Sequence, residues 1–178
     1  MFPFVRFAKD MLIARRQPAL GLLDTHVSHH ICWPWDVDMF LELNNGRTLT
    51  LYDLGRFMLA QRGGLIRAIV SNGWTLAIAG ATVRYRKRVT MFQRIEMRSR
   101  AVGWDDRFMY LEQSMWNSKG ECTSHVLYRA ATVEKGKSVP PARVSEAMGV
   151  DPVSPPLPEW VQAWAAADAQ RPWPPMQE

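Results

Sequence analysis

The longest helical pattern of the chain lies in its first half, between residues 44 and 63. Asn44 or Asn45 is a favoured N-cap residue, and the Gly63-Gly64 pair predicts that the helix ends or kinks there. Apolar side chains recur at helix-compatible intervals, namely Leu49, Tyr52, Leu54, Phe57, Met58 and Leu59, then Leu65 and Ile66. The pattern therefore predicts one long central helix.

Strand patterns flank this helix on both sides. Residues 30–35 predict a first strand, closed by the segment Asp36-Val37-Asp38. Residues 74–85 are almost all apolar or small, which is typical of a strand covered on both faces and predicts the centre of the sheet. Residues 91–102 alternate between apolar and charged side chains, as in a half-buried antiparallel strand.

Turn signals separate two further strands, at residues 107–116 and 121–133. The order strand, long helix, four strands predicts an α+β fold in which an antiparallel sheet packs on one helix. We expect this domain to span residues 26–138. Residues 139–178 form a proline-rich extension with short helices near 142–148 and 158–169.

Residues 1–25 form an N-terminal amphipathic segment. Between residues 4 and 16 apolar side chains stand at helical spacing, and basic residues surround them: Arg6, Lys9, Arg15 and Arg16. The favoured interpretation is a helix packed on its own domain, and the alternative is weak contact with a membrane surface or a partner. Charges interrupt the apolar stretch, which argues against a signal peptide or a spanning helix.

Composition excludes several classes of protein. The 178 residues are 47% hydrophobic, enough for one cored domain, and the net charge of +5 attracts polyanions. No nucleic-acid partner is expected, because no binding module interleaves aromatic and basic residues. Cys32 and Cys122 lack a CxxC spacing, which favours a reduced, cytoplasmic protein. His26, His29 and His30 lack a fourth ligand, so neither a metal nor another cofactor is predicted.

Residues 35–47 carry a resemblance to a known family. They read Trp-Asp-Val-Asp-Met-Phe-Leu-Glu-Leu-Asn-Asn-Gly-Arg. This resembles the signature of the 4-hydroxybenzoyl-CoA thioesterase branch of the hotdog-fold acyl-CoA thioesterase superfamily, in which Asp-x-Asp is followed by Gly-His-x-Asn-Asn and the central helix. The spacing agrees without a gap, but Leu41-Glu42 replaces Gly-His. The resemblance implies a hotdog fold, in which a curved antiparallel sheet wraps around the long helix.

The resemblance also implies roles for individual residues. Asp38 takes the position of the catalytic carboxylate, which attacks a thioester carbonyl as nucleophile or acts as general base for water. Asn44 and Asn45 take the positions of the Asn pair, which binds substrate at the helix start. The alternative for Asp38 is a carboxylate that only caps a turn. Glu42 and Asp53 are further candidates, although Asp53 is expected to pair with Arg56.

A basic run, Arg84-Tyr85-Arg86-Lys87-Arg88, follows the strand at 74–85. Arg86 and Arg107 are the expected ligands of the CoA phosphates. Asp36 is expected to be an ordinary solvated carboxylate.

The function predicted from the resemblance is hydrolysis of an acyl or aryl thioester of CoA. Sites of this fold normally lie at a subunit interface, which implies a homodimer or a dimer of dimers. The alternative is a non-catalytic protein that binds acyl-CoA, an acyl chain or a partner, in which Leu41-Glu42 marks the loss of the site.

Overall fold

The computed structural model describes residues 2–176, which form a single sheet with helices on both of its faces. Its six strands are β1 His26–Ile31, β2 Thr75–Tyr85, β3 Arg94–Trp104, β4 Met109–Asn117, β5 Cys122–Glu134 and β6 Lys137–Val139. Its five α-helices are α1 Phe4–Arg16, α2 Asn45–Arg62, α3 Leu65–Asn72, α4 Pro141–Met148 and α5 Glu159–Ala169. No helix among the described residues is long and apolar enough to cross a membrane.

The sheet has the strand order β1-β3-β4-β5-β2, and all neighbours are antiparallel. The short strand β6 pairs with the end of β5. The predicted α+β arrangement of one antiparallel sheet around a long helix is therefore confirmed. The alternation predicted for β3 is also present, because Ile95, Met97 and Ala101 are buried while Arg98 and Arg100 are exposed.

Helix α2 lies directly against the inner face of the sheet. A Cβ atom at Gly55 would come within 2.6 Å of Met97 Sδ and 2.7 Å of Ser99 Oγ, so a larger residue would displace these buried side chains. Beside it, the buried Gln113 side chain donates from Nε2 to the Tyr52 carbonyl at 2.9 Å and to Ser99 Oγ at 2.7 Å. These contacts fix α2 on the sheet and thereby set the position of its N-terminus.

The predicted helix break is confirmed at the glycine pair. Helix α2 ends at Arg62, and Gly64 adopts a left-handed conformation with φ 83° before α3 begins. In the C-terminal region the two predicted helices are present as α4 and α5. Helix α5 covers the outer face of the sheet, where Val161 packs with Tyr110 and Leu127.

The prediction of a first strand at residues 30–35 was wrong in its position. Strand β1 ends at Ile31, and residues Pro34–Asp36 form a single 3-10 turn instead. The physical reason is Pro34, which has no amide hydrogen for a strand ladder and is well suited to the first position of a helical turn. Aromatic residues at 33 and 35 imitate a strand pattern but lie on this turn.

The prediction that residues 74–85 form the centre of the sheet was also wrong. Strand β2 lies at the edge, paired only with β5, and most of its side chains are exposed. Leu76 and Ile78 are apolar but each remains more than 40% exposed. An apolar run predicts a strand that is buried on both faces. In the single chain, however, no other element covers most of the β2 side chains, which lie at the exposed edge of the sheet.

A buried cluster of polar side chains joins α1 to β1 and α2. His26 Nδ1 accepts a hydrogen bond from Arg62 Nη1 at 2.9 Å, and His30 Nδ1 lies 3.7 Å from the buried Asp10 carboxylate of α1. Burial, reinforced by nearby cations, lowers the pKa of both His26 and His30 to about 4. Both rings are therefore neutral in the folded protein at pH 7.

This cluster predicts a loss of stability in mild acid. Unfolded histidine has a pKa near 6.5, so between about pH 6.5 and pH 4 the unfolded chain binds more protons than the folded one. The stabilisation that depends on the two neutral rings is expected to be fully present above pH 6.5. The free energy of unfolding is expected to fall by about 4 kcal/mol between pH 7 and pH 5, since two histidines contribute. Urea unfolding at both pH values measures this.

The exposed His29 on the same strand provides the control. Exchanging His29 for glutamine is expected to change the free energy of unfolding little, because its ring is largely in solvent. A His26→Gln/His30→Gln protein is expected to lose most of the pH dependence. Equal stability of the wild type at pH 7 and pH 5 would show that the buried rings do not control it.

Candidate active site

Asp38 lies on a tight turn just before α2. The Asp38 amide donates to the Glu42 carbonyl at 2.8 Å, and the Leu41 amide donates to the Asp38 carbonyl at 3.0 Å. One carboxylate oxygen, Oδ1, accepts the Phe40 amide at 2.9 Å. The predicted capping role is thus present, and it occupies one oxygen of a half-exposed carboxylate whose other oxygen has no hydrogen bond among residues 2–176.

The turn is strained at the position where the resembling family has glycine. Leu41 has φ 58°, a left-handed conformation that costs a branched side chain roughly 1–2 kcal/mol. The backbone of the motif is therefore kept although the glycine is not. Strain of this kind persists where the surrounding hydrogen bonds hold it, and it often accompanies functional loops.

Asp36 is not the solvated carboxylate that the sequence suggested. It is 1% exposed, accepts from Arg6 Nη2 at 2.5 Å and Arg47 Nε at 2.8 Å, and also accepts the Trp33 amide. Burial alone would raise its pKa, but these hydrogen bonds outweigh burial and hold the pKa of Asp36 below its usual value. Asp36 thus joins α1, the Asp38 turn and the start of α2.

The two asparagines at the start of α2 have different tasks. Asn44 is the N-cap residue, and its Oδ1 accepts the amides of Gly46 at 2.9 Å and Arg47 at 3.1 Å. This ordering of the helix start was predicted. The backbone N–H of Asn45 has no acceptor among the described residues, so this donor remains available to a ligand. Contacts of Asn44 and Asn45 with substrate stay predictions.

A cleft of about 190 Å³ opens at this end of α2, between the helix start and the ends of β2 and β5. Glu42 lies in its wall and pairs with Arg88, with 3.0 Å between Oε1 and Nε. The Tyr85 hydroxyl donates to the Asn45 carbonyl at 3.3 Å. The cleft is lined by Glu42, Leu43, Asn45, Thr48, residues 85–89, Thr123 and Ser124. Three of these residues, Arg86, Lys87 and Arg88, are cationic.

An apolar pocket of about 170 Å³ lies further along the same helix. From Thr48 in the cleft to Arg56 at the pocket is eight residues, or about 12 Å of helix. The walls come from the C-terminal half of α2, from β2 and from the inner face of the sheet, with Phe57, Leu59, Leu76, Ile78 and Leu111 among them. Two of its lining residues, Leu76 and Ile78 on β2, are themselves exposed.

Asp53 and Arg56 form the ion pair that was predicted within α2. The Arg56 guanidinium also lies over the Tyr128 ring, 4.2 Å from its centroid. This pair stands between the cleft and the pocket along the helix. Asp53 is consequently neutralised by its own neighbour.

Arg107 lies apart from the other predicted site residues. It occupies the β3–β4 hairpin and is exposed, next to Asp105, whose Oδ1 accepts its amide. That hairpin adjoins Ala130 on β5, whereas the cleft adjoins Ser124, six residues or about 20 Å along the same strand. Within one chain, Arg107 therefore does not reach the cleft that contains Arg86.

The histidines do not gather into a ligand cluster. Among residues 2–176 no group of three or more His, Cys, Asp or Glu side chains is arranged to hold a metal ion. Cys32 is fully buried, as expected of a small apolar side chain, and burial raises its thiol pKa to about 11. Burial therefore disfavours the thiolate form of Cys32.

Comparison with known proteins identifies the family of this chain. The sequence profile of the thioesterase-like superfamily matches residues 32–165. Protein THEM6 from Xenopus laevis is 37% identical over 163 residues, which is 90% of this chain and 77% of that protein. Protein THEM6 from Danio rerio is 29% identical over 134 residues, covering 73% and 66% of the two chains.

Solved structures share the fold at low identity. The probable thioesterase YbaW from Escherichia coli superposes with a TM-score of 0.63 at 12% identity, over 68% of this chain and 95% of that one. For the DHNA-CoA thioesterase from Staphylococcus aureus the TM-score is 0.58 at 13% identity, with coverage of 82% and 91%.

A hypothetical thioesterase from Streptococcus pneumoniae, solved with coenzyme A, has a TM-score of 0.55 at 11% identity and covers 74% and 98% of the two chains. At these identities the likeness shows the fold, and it confirms the hotdog architecture. Together with the profile match over three quarters of the sequence, it shows that this chain belongs to the thioesterase-like superfamily of hotdog proteins.

Proposed function

We propose that this protein hydrolyses an acyl or aryl thioester of CoA, with Asp38 as the reacting carboxylate. The observation that supports this most is the Asp38 oxygen without a hydrogen bond, on the turn that leads into a helix start whose Asn45 backbone N–H has no acceptor among residues 2–176. A base and an oxyanion donor within one turn and the following helix cap are the two elements that acyl transfer to water requires.

The chemistry follows from these groups. As general base, Asp38 takes a proton from water, and the resulting hydroxide attacks the thioester carbonyl carbon. The carbonyl oxygen becomes an oxyanion, stabilised by the Asn45 amide and the positive end of the α2 dipole. Collapse of the intermediate breaks the carbon–sulfur bond and releases the carboxylic acid and CoA as a thiolate. As nucleophile, Asp38 would attack the carbonyl carbon and form an anhydride as the carbon–sulfur bond breaks and the CoA thiolate leaves. Water then hydrolyses the anhydride to the free acid and restores Asp38.

The two cavities along α2 suit the two ends of such a substrate. The cationic cleft, with Arg86, Lys87 and Arg88, attracts the CoA phosphates, and Arg86 makes no ion pair within residues 2–176. The apolar pocket about 12 Å along the helix suits the acyl or aryl group. A CoA-containing structure among the relatives of this fold supports the same ligand class.

The exposed edge strand β2 supports a homodimer. An apolar edge strand that pairs with a second copy across a two-fold axis must run antiparallel to it. The Arg86 end of one β2 then lies beside the opposite end of the other sheet, where the partner's hairpin exposes its Arg107 residue. In such a dimer the two arginines predicted from the sequence can serve one CoA.

Sedimentation tests this dimer. The wild type is expected to sediment as a dimer or a dimer of dimers, and Ile78→Lys as a monomer, because each of the two copies would bring a charge to the apolar edge. Val153→Lys alters a still more exposed apolar residue outside the sheet and is expected to leave the assembly intact. A monomeric wild type would exclude the shared site.

Kinetics of arginine variants test the CoA contacts. Arg86→Ala and Arg107→Ala are each expected to raise KM about tenfold and to change kcat little, because a phosphate contact remote from the thioester stabilises substrate and transition state alike. Arg171→Ala, on the exposed C-terminal region, is the control with no expected effect. If Arg107→Ala behaves like the control while Arg86→Ala does not, the CoA site lies within one subunit.

One observation favours the second candidate, a non-catalytic binding protein. Glu42 stands where the resembling family has histidine, and its carboxylate pairs with Arg88 inside the cleft. The pairing makes Arg88 less available to a CoA phosphate. The Glu42 carboxylate also brings a negative charge near the expected position of the thioester. Saturable binding of acyl-CoA without release of CoA would establish the binding role.

A further inference from the structure

An exposed group of large apolar side chains lies beside Asp38. Met39 is 86% exposed and Phe40 74%, and Leu41, Trp35 and Phe92 are each at least 60% exposed. We call these five residues the apolar tip. Single exposed apolar residues are ordinary, but five together form the kind of patch that marks an interaction surface.

Hydrogen bonds hold the parts of the tip together. The Phe92 amide donates to the Cys32 carbonyl at 2.6 Å, and the Leu43 amide donates to the Val89 carbonyl at 2.7 Å, so the two loops that carry the tip are joined at both ends. The Trp33 ring stacks on Trp35 at 5.5 Å and meets Phe92 edge-on at 6.2 Å. Trp35 and Phe92 are thus joined through Trp33, and the two loops that carry the tip lie against each other.

The backbone conformation of the tip is unfavourable for two of the large side chains that it carries. Leu41 and Phe92 both adopt left-handed conformations, with φ 58° and 64°, which large residues rarely occupy. Glycine or asparagine would relieve both positions. The chain instead places apolar side chains there and directs them to solvent, which indicates a use for them outside the fold.

Two arginines border the tip. Arg88 precedes Phe92 along the second loop and Arg94 follows it, and both are exposed. Arg88 pairs with Glu42, whereas Arg94 makes no ion pair within residues 2–176. Helix α1 extends the same surface, because Arg6 binds Asp36 in the middle of the tip turn while the neighbouring Phe4 and Val5 are exposed. Aromatic and aliphatic side chains bordered by arginine fit the boundary between lipid headgroups and acyl chains, where anionic lipids add an electrostatic attraction.

The second copy of the dimer is not expected to cover all of this surface. Trp35 and Phe92 lie at the ends of β1 and β3, three to four strand spacings or about 14–19 Å across the sheet from the exposed edge β2. Leu41 instead adjoins Glu42, in the wall of the cleft at the end of β2. Pairing through β2 therefore leaves the Trp35 and Phe92 side of each tip free. Two tips per dimer would also strengthen a weak contact with an extended surface.

We propose that the apolar tip docks the protein on the surface of an anionic lipid bilayer, with Asp38 held at the membrane boundary. The contact is peripheral, since side chains of a turn enter only the headgroup region. The contact places the protein close to substrates whose acyl chains partition into the same bilayer. The inference concerns where the protein binds and stands apart from the hydrolysis proposed above.

Flotation with lipid vesicles tests the proposal. Vesicles of phosphatidylcholine with one third phosphatidylglycerol are expected to bind the wild type at least tenfold more strongly than vesicles of phosphatidylcholine alone. The variant Met39→Ser/Phe92→Asn is expected to lose at least tenfold of this binding, because each side chain leaves the apolar boundary. Asparagine tolerates the conformation at residue 92, so the variant is expected to fold.

Two further proteins make the result specific. Val153→Ser removes an equally exposed apolar side chain far from the tip and is expected to bind vesicles like the wild type. Asp38→Asn is expected to bind them equally well, which separates docking from catalysis. The proposal is overturned if the wild type ignores anionic vesicles, or if the tip variant binds like Val153→Ser. It is also overturned if the tip variant dissociates the dimer without vesicles, because the tip would then be a protein interface.

Discussion

Exchanging Asp36 for asparagine is expected to destabilise the protein by about 3–5 kcal/mol, the cost of leaving buried charges without their partner. The Arg6 and Arg47 side chains that converge on Asp36 are only 12% and 18% exposed, so neither can turn to solvent without leaving its packing. In a chain of this size such a loss lowers the melting temperature by roughly 10 °C. Thermal and urea unfolding measure the change.

The control is another aspartate that the fold does not use. Asp106→Asn, in the exposed β3–β4 hairpin, is expected to change the free energy of unfolding by no more than about 0.5 kcal/mol. If Asp36→Asn were as mild as this, the triad of Arg6, Asp36 and Arg47 would not be what joins α1 to the start of α2.

Removing the charge of Asp38 is expected to lower kcat by about a thousandfold, within the range measured for loss of a general base. Asp38→Asn keeps the shape of the side chain and an oxygen for the Phe40 amide, so the turn is expected to survive. Thermal stability within about 1 kcal/mol of the wild type would confirm that only the chemistry was lost. Thioester hydrolysis under saturating substrate gives the rate.

Two carboxylates nearby serve as matched controls. Glu42→Gln breaks the pair with Arg88, and Asp53→Asn breaks the pair with Arg56. Both are expected to retain at least a tenth of the wild-type kcat, because each carboxylate is already neutralised by its arginine. Full activity in Asp38→Asn together with a large loss in Glu42→Gln would transfer the base from Asp38 to Glu42.

The elements with strong periodicity could be predicted from the sequence. The spacing of Tyr52, Leu54 and Met58 in α2 follows the buried face of the helix, and the Gly63-Gly64 pair ends it. Likewise the alternation in β3 gave the correct buried face. Local signals suffice where a single chain satisfies its own pattern.

Strand β2 shows where such reasoning fails. Its apolar residues predict a buried strand, but β2 is an exposed edge of the single chain. The pattern is therefore better explained by burial in an assembly of several chains. A hydrophobic pattern predicts that a surface is buried, but it does not show whether the same chain or another molecule buries it. The same applies to the apolar tip, whose residues read as strand and loop.

The candidate site divides in the same way. The motif located Asp38, Asn44 and Asn45 at one turn and helix start, because these residues are neighbours in sequence. It misjudged Asp36, whose burial depends on Arg6, thirty residues away on a helix that no local signal attaches to this turn. The position of Arg107 relative to the cleft likewise depends on strand pairing, which spacing does not encode.

Release of CoA from a panel of acyl-CoA thioesters tests the central claim most directly. Short, medium, long and aryl acyl-CoAs are incubated with the wild type, and the freed thiol is followed continuously. Saturable turnover of at least one of them, abolished in Asp38→Asn and retained in Glu42→Gln, is the result that the proposed thioesterase predicts. Saturable binding of these ligands with no thiol release from any of them would contradict it and would assign the cleft and pocket to a binding protein.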